Sequence, residues 1–187
     1  TDGGGVEARF VAGMPAQGRS IAGREAEQML CQDVPTLVRQ TLRYVALDAD
    51  ALQRHVEVAE DADALRAQLA ENDLVAFVAD GAILPRRSGV DDRPMTDGPI
   101  PFESPDSLRV TLERPNGGTI GGLGIRRGVT LIVGGGYHGK STLLQAVERG
   151  VYTHVPDDGR EFVVADPMAV KVRAEDGRSV TDADISP

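Results

Sequence analysis

The 187-residue sequence has no Trp and one Cys, Cys31, and aromatic residues make up 4% of it. A lone cysteine excludes an intramolecular disulfide and a multi-cysteine metal site. With so few rings the core has to be built from Val, Leu, Ile and Ala, and a site based on aromatic stacking is short of material. Long apolar runs are missing too. The longest, 129–133, falls far short of the roughly 20 residues a membrane-spanning helix requires, and no charged-then-apolar leader opens the sequence. The expectation is therefore a soluble, cytoplasmic protein. Lysine is nearly absent: of 20 basic residues only Lys140 and Lys171 are lysines. Against 29 acids the formal charge is 20 − 29 = −9. That sign argues against coating nucleic acid by bulk charge, although a local basic patch remains compatible with RNA or DNA as a partner. The sequence starts at Thr1 rather than Met and stops after Ile185, Ser186 and Pro187, so it reads as a piece of something longer.

What is present suits a packed globular core: 41% hydrophobic and 26% charged residues, in a length that fits one or two domains. Up to about residue 80 the pattern is mainly helical. Met29, Leu30 and Cys31 fall within one helical stretch, with Cys31 expected as a small apolar residue inside it. Leu37, Val38, Leu42 and Val45 recur at three- and four-residue steps, and Leu65 and Leu69 are four apart. Residues 74–80 form a short β-prone run that Gly81 ends. Five prolines between Pro85 and Pro105 mark a connection between units. Within it, Arg86, Arg87 and Arg93 alternate with Asp91 and Asp92, either as a surface loop laced by ion pairs or as arginines facing phosphate. Short strands follow at 108–112, 119–125, 129–133, 162–166 and 170–173, with a helix after the third, a strand-and-helix alternation of the α/β class. His55 and His154 have no metal-ligand spacing and read as surface or packing residues.

Gly134, Gly135, Gly136, Tyr137, His138, Gly139, Lys140 and Ser141 fit G-x-x-x-x-G-K-[ST], directly after a β-branched apolar run and directly before a good helix former. Glycines let successive backbone N–H groups turn toward a phosphate chain, and the helix N-terminus adds unpaired donors and the positive end of its dipole. Lys140 supplies a mobile ammonium to β/γ-phosphates, and the Ser141 hydroxyl can ligate Mg²⁺. Tyr137 and His138 occupy variable positions of the loop.

The run from Gly139 through Lys140, Ser141 and Thr142 to Leu144 is similar to the loop of ABC-type ATPases. Taken with 82–93, 129–144 and 170–178, it resembles the bacterial "predicted ATPase of the ABC class" family over nearly the entire chain, from about Arg9. The resemblance implies an α/β protein: a mainly helical, family-specific N-terminal lobe over 1–95, then the N-terminal part of an ABC-type P-loop NTPase domain over 96–187. It implies ATP and Mg²⁺ as cofactors. Residues Gly134 to Thr142 would form the cradle, Lys140 would be the catalytic cation and Ser141 the metal ligand. ATPase activity would depend on a glutamine loop, a signature segment and an acidic strand supplied beyond Pro187, with a homodimer completing the site. These residues alone are expected to hydrolyse little or no ATP.

The usual ABC loop has a glycine where Tyr137 stands. The sequence between Glu103 and Gly136 lacks an aromatic residue, leaving Phe102 or Tyr137 as substitutes for a ring that stacks on adenine. Two other readings stay open. In one, the chain is a nucleic-acid- or protein-binding module with ATP as a conformational switch, resting on the Arg86, Arg87 and Arg93 cluster. In the other, it is a compact P-loop kinase in which Asp166, at the end of an apolar strand, holds Mg²⁺.

Overall fold

The computed structural model describes residues 6–172. The chain divides into two compact units, Thr1–Arg54 and His55–Pro187. In the first, a two-residue antiparallel pair, β1 (Ala16–Gln17) and β2 (Ser20–Ile21), precedes α1 (Gly23–Gln28). A π-helical turn, Met29–Asp33, leads into α2 (Val34–Thr41), with Pro35 in its first turn, where its missing N–H costs nothing. Cys31 falls in that π turn, inside a helical stretch as expected, and is exposed.

α3 (Ala49–Glu71) is capped by Asp48, whose Oδ1 accepts the backbone N–H groups of Asp50 at 3.1 Å and Ala51 at 3.0 Å. Asp61, Ala62, Leu65 and Leu69 form its buried face, at the spacing that keeps side chains on one side of a helix. In the second unit, that face packs on a four-stranded antiparallel sheet in the order β4 (Arg109–Arg114), β5 (Gly118–Arg126), β3 (Leu74–Ala79), β6 (Val163–Ala165). β3 is flanked by a strand on each edge and buried on both faces, which is why its sequence is continuously apolar rather than alternating. Phe77 and Val164 point toward the α3 face, and Val78 and Val163 toward the other.

Gly122 in β5 has a steric role: a Cβ there would lie 2.7 Å from Phe77 Cζ and 2.8 Å from Ala79 Cα. At the outer edge, Gln68 of α3 pairs with β4 as a strand would. Its Nε2 donates to the Glu113 carbonyl at 2.7 Å, and its Oε1 accepts the Glu113 N–H at 3.0 Å. Buried Asp61 holds the β4–β5 turn by accepting the Asn116 N–H at 2.8 Å.

The second face of the sheet is covered by α4 (Lys140–Arg149), through Leu143, Ala146 and Val147 against Val78, Leu84, Leu123 and Val163. Mixed helix and sheet is the class that the sequence implies. One expected element is missing: residues 129–133 are not a strand, and Val129, Leu131 and Val133 are exposed. A β-branched run becomes a strand only where a neighbour takes its backbone hydrogen bonds, and among the described residues none does. Residues 170–172 are likewise irregular, and the remainder of the expected strand and turn at 170–178 lies outside the described residues.

Candidate phosphate-binding site

α4 is fixed at its C-terminal end. The Gly150 N–H donates to Ala146 O at 2.9 Å, and the Ala165 N–H of β6 donates to Gly150 O at 2.9 Å. Its opposite end is formed by the glycine-rich loop. Gly139 is the N-cap residue, with φ of 78°, a left-handed conformation in which a side chain would be strained, and its carbonyl accepts the Leu143 N–H at 2.9 Å. Lys140, Ser141 and Thr142 thereby occupy the first helical turn, where backbone donors have no partner within the helix.

These three residues, with Tyr137, His138 and Gly139, line one side of a cavity of about 940 Å³. The other side is the segment Pro99, Ile100, Pro101, Phe102 and Glu103. Its position follows from backbone pairing: the Gly81 N–H donates to Phe102 O at 2.8 Å, and the Phe102 N–H donates to Ala82 O at 2.8 Å. Asp80 fixes Ser104, its Oδ1 accepting the Ser104 N–H at 2.6 Å and its Oδ2 accepting the Ser104 hydroxyl at 3.1 Å, while Arg109 pairs with the same Oδ2 at 2.6 Å. The rigid end of β3 thus holds the wall that faces the loop.

Within the loop, Lys140 Nζ donates to the carbonyl of Gly134 at 2.8 Å and also to that of Gly135. These two glycines therefore hold the ammonium rather than line the cavity. Gly136 is exposed, and a Cβ there would touch nothing. Tyr137 takes φ of 61° and is fully exposed. The position at which the sequence departs from a glycine is thus one where the backbone adopts the conformation glycine favours. Ser141 is exposed at the cavity, so its hydroxyl is free to meet a ligand. Among the described residues, no cluster of three or more His, Cys, Asp or Glu could hold a metal unaided.

Asp166 does not line this cavity. It follows β6, where its Oδ1 accepts the Met168 N–H at 2.9 Å and its Oδ2 lies 4.0 Å from Arg127. The arginine cluster is divided in use. Arg93 forms a 2.6 Å ion pair with Asp91, whose carboxyl is held down to about 2 by hydrogen bonds from the Arg93 side chain and backbone. Arg86 turns inward, donating to Asp158 O at 2.7 Å and to Asp158 Oδ2 at 2.8 Å. The sequence reading missed this second pairing. Partners 72 residues apart leave no local signal that could have disclosed them.

A glycine-rich loop entering a helix N-terminus, with a lysine and a hydroxyl on its first turn, defines a P-loop domain. The ABC_ATPase P-loop domain matches residues 48–187, and the N-terminal domain of ATPases of the ABC class matches residues 1–45. The chain belongs to the ABC-class ATPase family. It is 37% identical over 107 residues to the uncharacterized protein MJ1628 of Methanocaldococcus jannaschii, an overlap covering 54% of this chain and 24% of that protein. The chain thus spans about a quarter of that relative's length. Among the described residues, no helix is long and apolar enough to cross a membrane.

Proposed function

We propose that the chain binds ATP with Mg²⁺, its triphosphate lying over residues 134–141 and its remaining bulk in the cavity against the 99–103 segment. The observation that carries this reading is the left-handed Gly139 cap, which brings Lys140, Ser141 and Thr142 together at the cavity on the first turn of α4. Backbone donors and the helix dipole favour an anion there, and Lys140 exchanges its carbonyl partners for phosphate oxygens. Ser141 would hold Mg²⁺ through its hydroxyl oxygen, as suits a cation that keeps several waters and takes few protein ligands. A Mg²⁺ ion held there would supply neutralisation of phosphate charge. Phe102 and Tyr137 line the same cavity and can flank a base.

In the whole protein we assign this site to ATP hydrolysis by a cytoplasmic homodimer. Glu103 is the one carboxylate lining the cavity among the described residues, so the acids that order Mg²⁺ and the attacking water come from elsewhere. Binding of labelled ATP with Mg²⁺ to wild type and Lys140→Ala tests the reading. Strong loss of affinity is expected in the variant, and equal affinity in both proteins would overturn it.

A further inference from the structure

A second cationic pocket lies beyond the C-terminal end of α4, about 15 Å along the helix from the phosphate loop at 1.5 Å per residue. Its volume is about 250 Å³, and its lining brings together Arg86, Arg149, Arg160 and His154 with Asp92 and Asp158. Arg160 is 1% exposed, yet its Nε, at 3.0 Å, and one terminal nitrogen both donate to a single neutral acceptor, the Leu84 carbonyl. Among the described residues, no carboxylate lies within ion-pair distance of it. A buried guanidinium with five donors is costly unless a countercharge meets it. Burial and the nearby Arg86 lower its pKa to about 10, against the opposing pull of the more distant Asp158 and Asp92.

The acids in the lining are already engaged. Asp158 Oδ2 receives Arg86 at 2.8 Å and His154 Nδ1 at 2.7 Å. Asp92 lies 3.6 Å from Arg149 at the exposed rim. Two buried nitrogens remain without partners, Arg86 Nε and His154 Nε2. The charges of the three arginines and two aspartates sum to 3 − 2 = +1, and the adjoining helix C-terminus, being partially negative, does not supply this excess.

We infer that this pocket binds a phosphate group, free or as a small phosphomonoester, with Arg160 and Arg149 as its principal cationic partners. An anion answers the net positive charge, and a tetrahedral oxyanion can accept from guanidinium donors arriving from different directions. The volume lies below the roughly 300–1,000 Å³ of pockets for larger ligands. A nucleoside triphosphate is therefore too large to enter whole.

The test is calorimetric titration of Lys140→Ala protein, so that the loop of the proposed ATP site does not contribute, with inorganic phosphate and with glycerol phosphate in a chloride buffer. Saturable binding of phosphate is expected. Arg149→Ala, at the half-exposed rim, should weaken it by about tenfold or more, and Arg160→Met should abolish it. Binding of both probes identifies an ester-bearing ligand, and binding of phosphate alone identifies free phosphate. Absence of binding by Lys140→Ala protein at millimolar phosphate would overturn the inference. So would undiminished affinity in Arg149→Ala, which keeps the test decisive even if Arg160→Met fails to fold. Failure of ATP to bind the wild type would leave this outcome unaffected.

Discussion

Lys140 Nζ lies 2.8 Å from the carbonyl oxygen of Gly134, six residues earlier in the chain, so the loop is closed on its own ammonium. Its hydrogen bonds are made within the loop and brace no other element. Stability and ligand binding should therefore separate on substitution. Lys140→Met is expected to change unfolding free energy by no more than about 0.5 kcal/mol, as at other surface positions. Its affinity for ATP should fall by about 1.5–3 kcal/mol, the worth of charged hydrogen bonds. Chemical denaturation and nucleotide titration on the same protein check both halves. A large loss of stability with affinity retained would reverse the assignment of this lysine.

Tyr137 takes a left-handed conformation at φ of 61° while its ring is free in solvent. The strain of such a residue is of order 1 kcal/mol, and it is greater for a β-branched side chain. Tyr137→Gly should consequently preserve phosphate binding by the loop, whereas Tyr137→Val should weaken ATP by several-fold by driving the backbone out of this conformation. Comparing ATP with inorganic triphosphate adds a second readout. If the ring flanks the base, Tyr137→Gly weakens ATP but leaves triphosphate unchanged. Equal behaviour of Gly and Val would show that the backbone conformation at this position is unimportant.

Gly122 lies on the interior strand β5 opposite Ala79, where a Cβ would fall 2.7 Å from Phe77 Cζ and 2.8 Å from Ala79 Cα. Neither neighbour can yield easily, because Phe77 is fully buried and Ala79 belongs to β3. Gly122→Ala should destabilise the protein by about 1–3 kcal/mol, the usual cost of overpacking. A denaturant midpoint equal to that of wild type would mean that β5 shifts freely, contrary to its pairing with β3 and β4.

The elements legible in the sequence were those with local causes. The apolar run at 74–80 is β3, 119–125 is the body of β5, and the glycine-rich loop runs into α4 as its spacing implies. What escaped depends on partners distant in the chain. Residues 129–133 have every propensity for a strand, yet Leu131 is 80% exposed because no adjacent strand is present among the described residues. The wall of the cavity was hidden by its prolines: 98–105 reads as a linker, whereas Asp80 and the backbone of Gly81 and Ala82 hold it in place. Arg160 resembles any surface arginine in sequence. Only the fold buries it beside Leu84, 76 residues away.

Asp158 accepts both Arg86 and His154, and this makes acid stability a test of the inner network. Burial alone would raise its carboxyl, but hydrogen bonds from His154 and Arg86 outweigh that effect and hold it below the ordinary carboxylate value. A group depressed in the folded state contributes stability that is fully present above its unfolded pKa, about 3.9, and is lost as pH falls through the lower folded value. Wild type should therefore exceed Asp158→Asn in stability at neutral pH, where removal of the carboxylate leaves the buried Arg86 charge without its partner. The difference should shrink steadily below about pH 4. Groups that do not touch Asp158 titrate alike in both proteins, so the change in the difference between the two denaturation profiles below pH 4 reports chiefly on this carboxyl. A difference that stays constant down to the acid limit would show that Asp158 is not held by the Arg86 and His154 hydrogen bonds in solution.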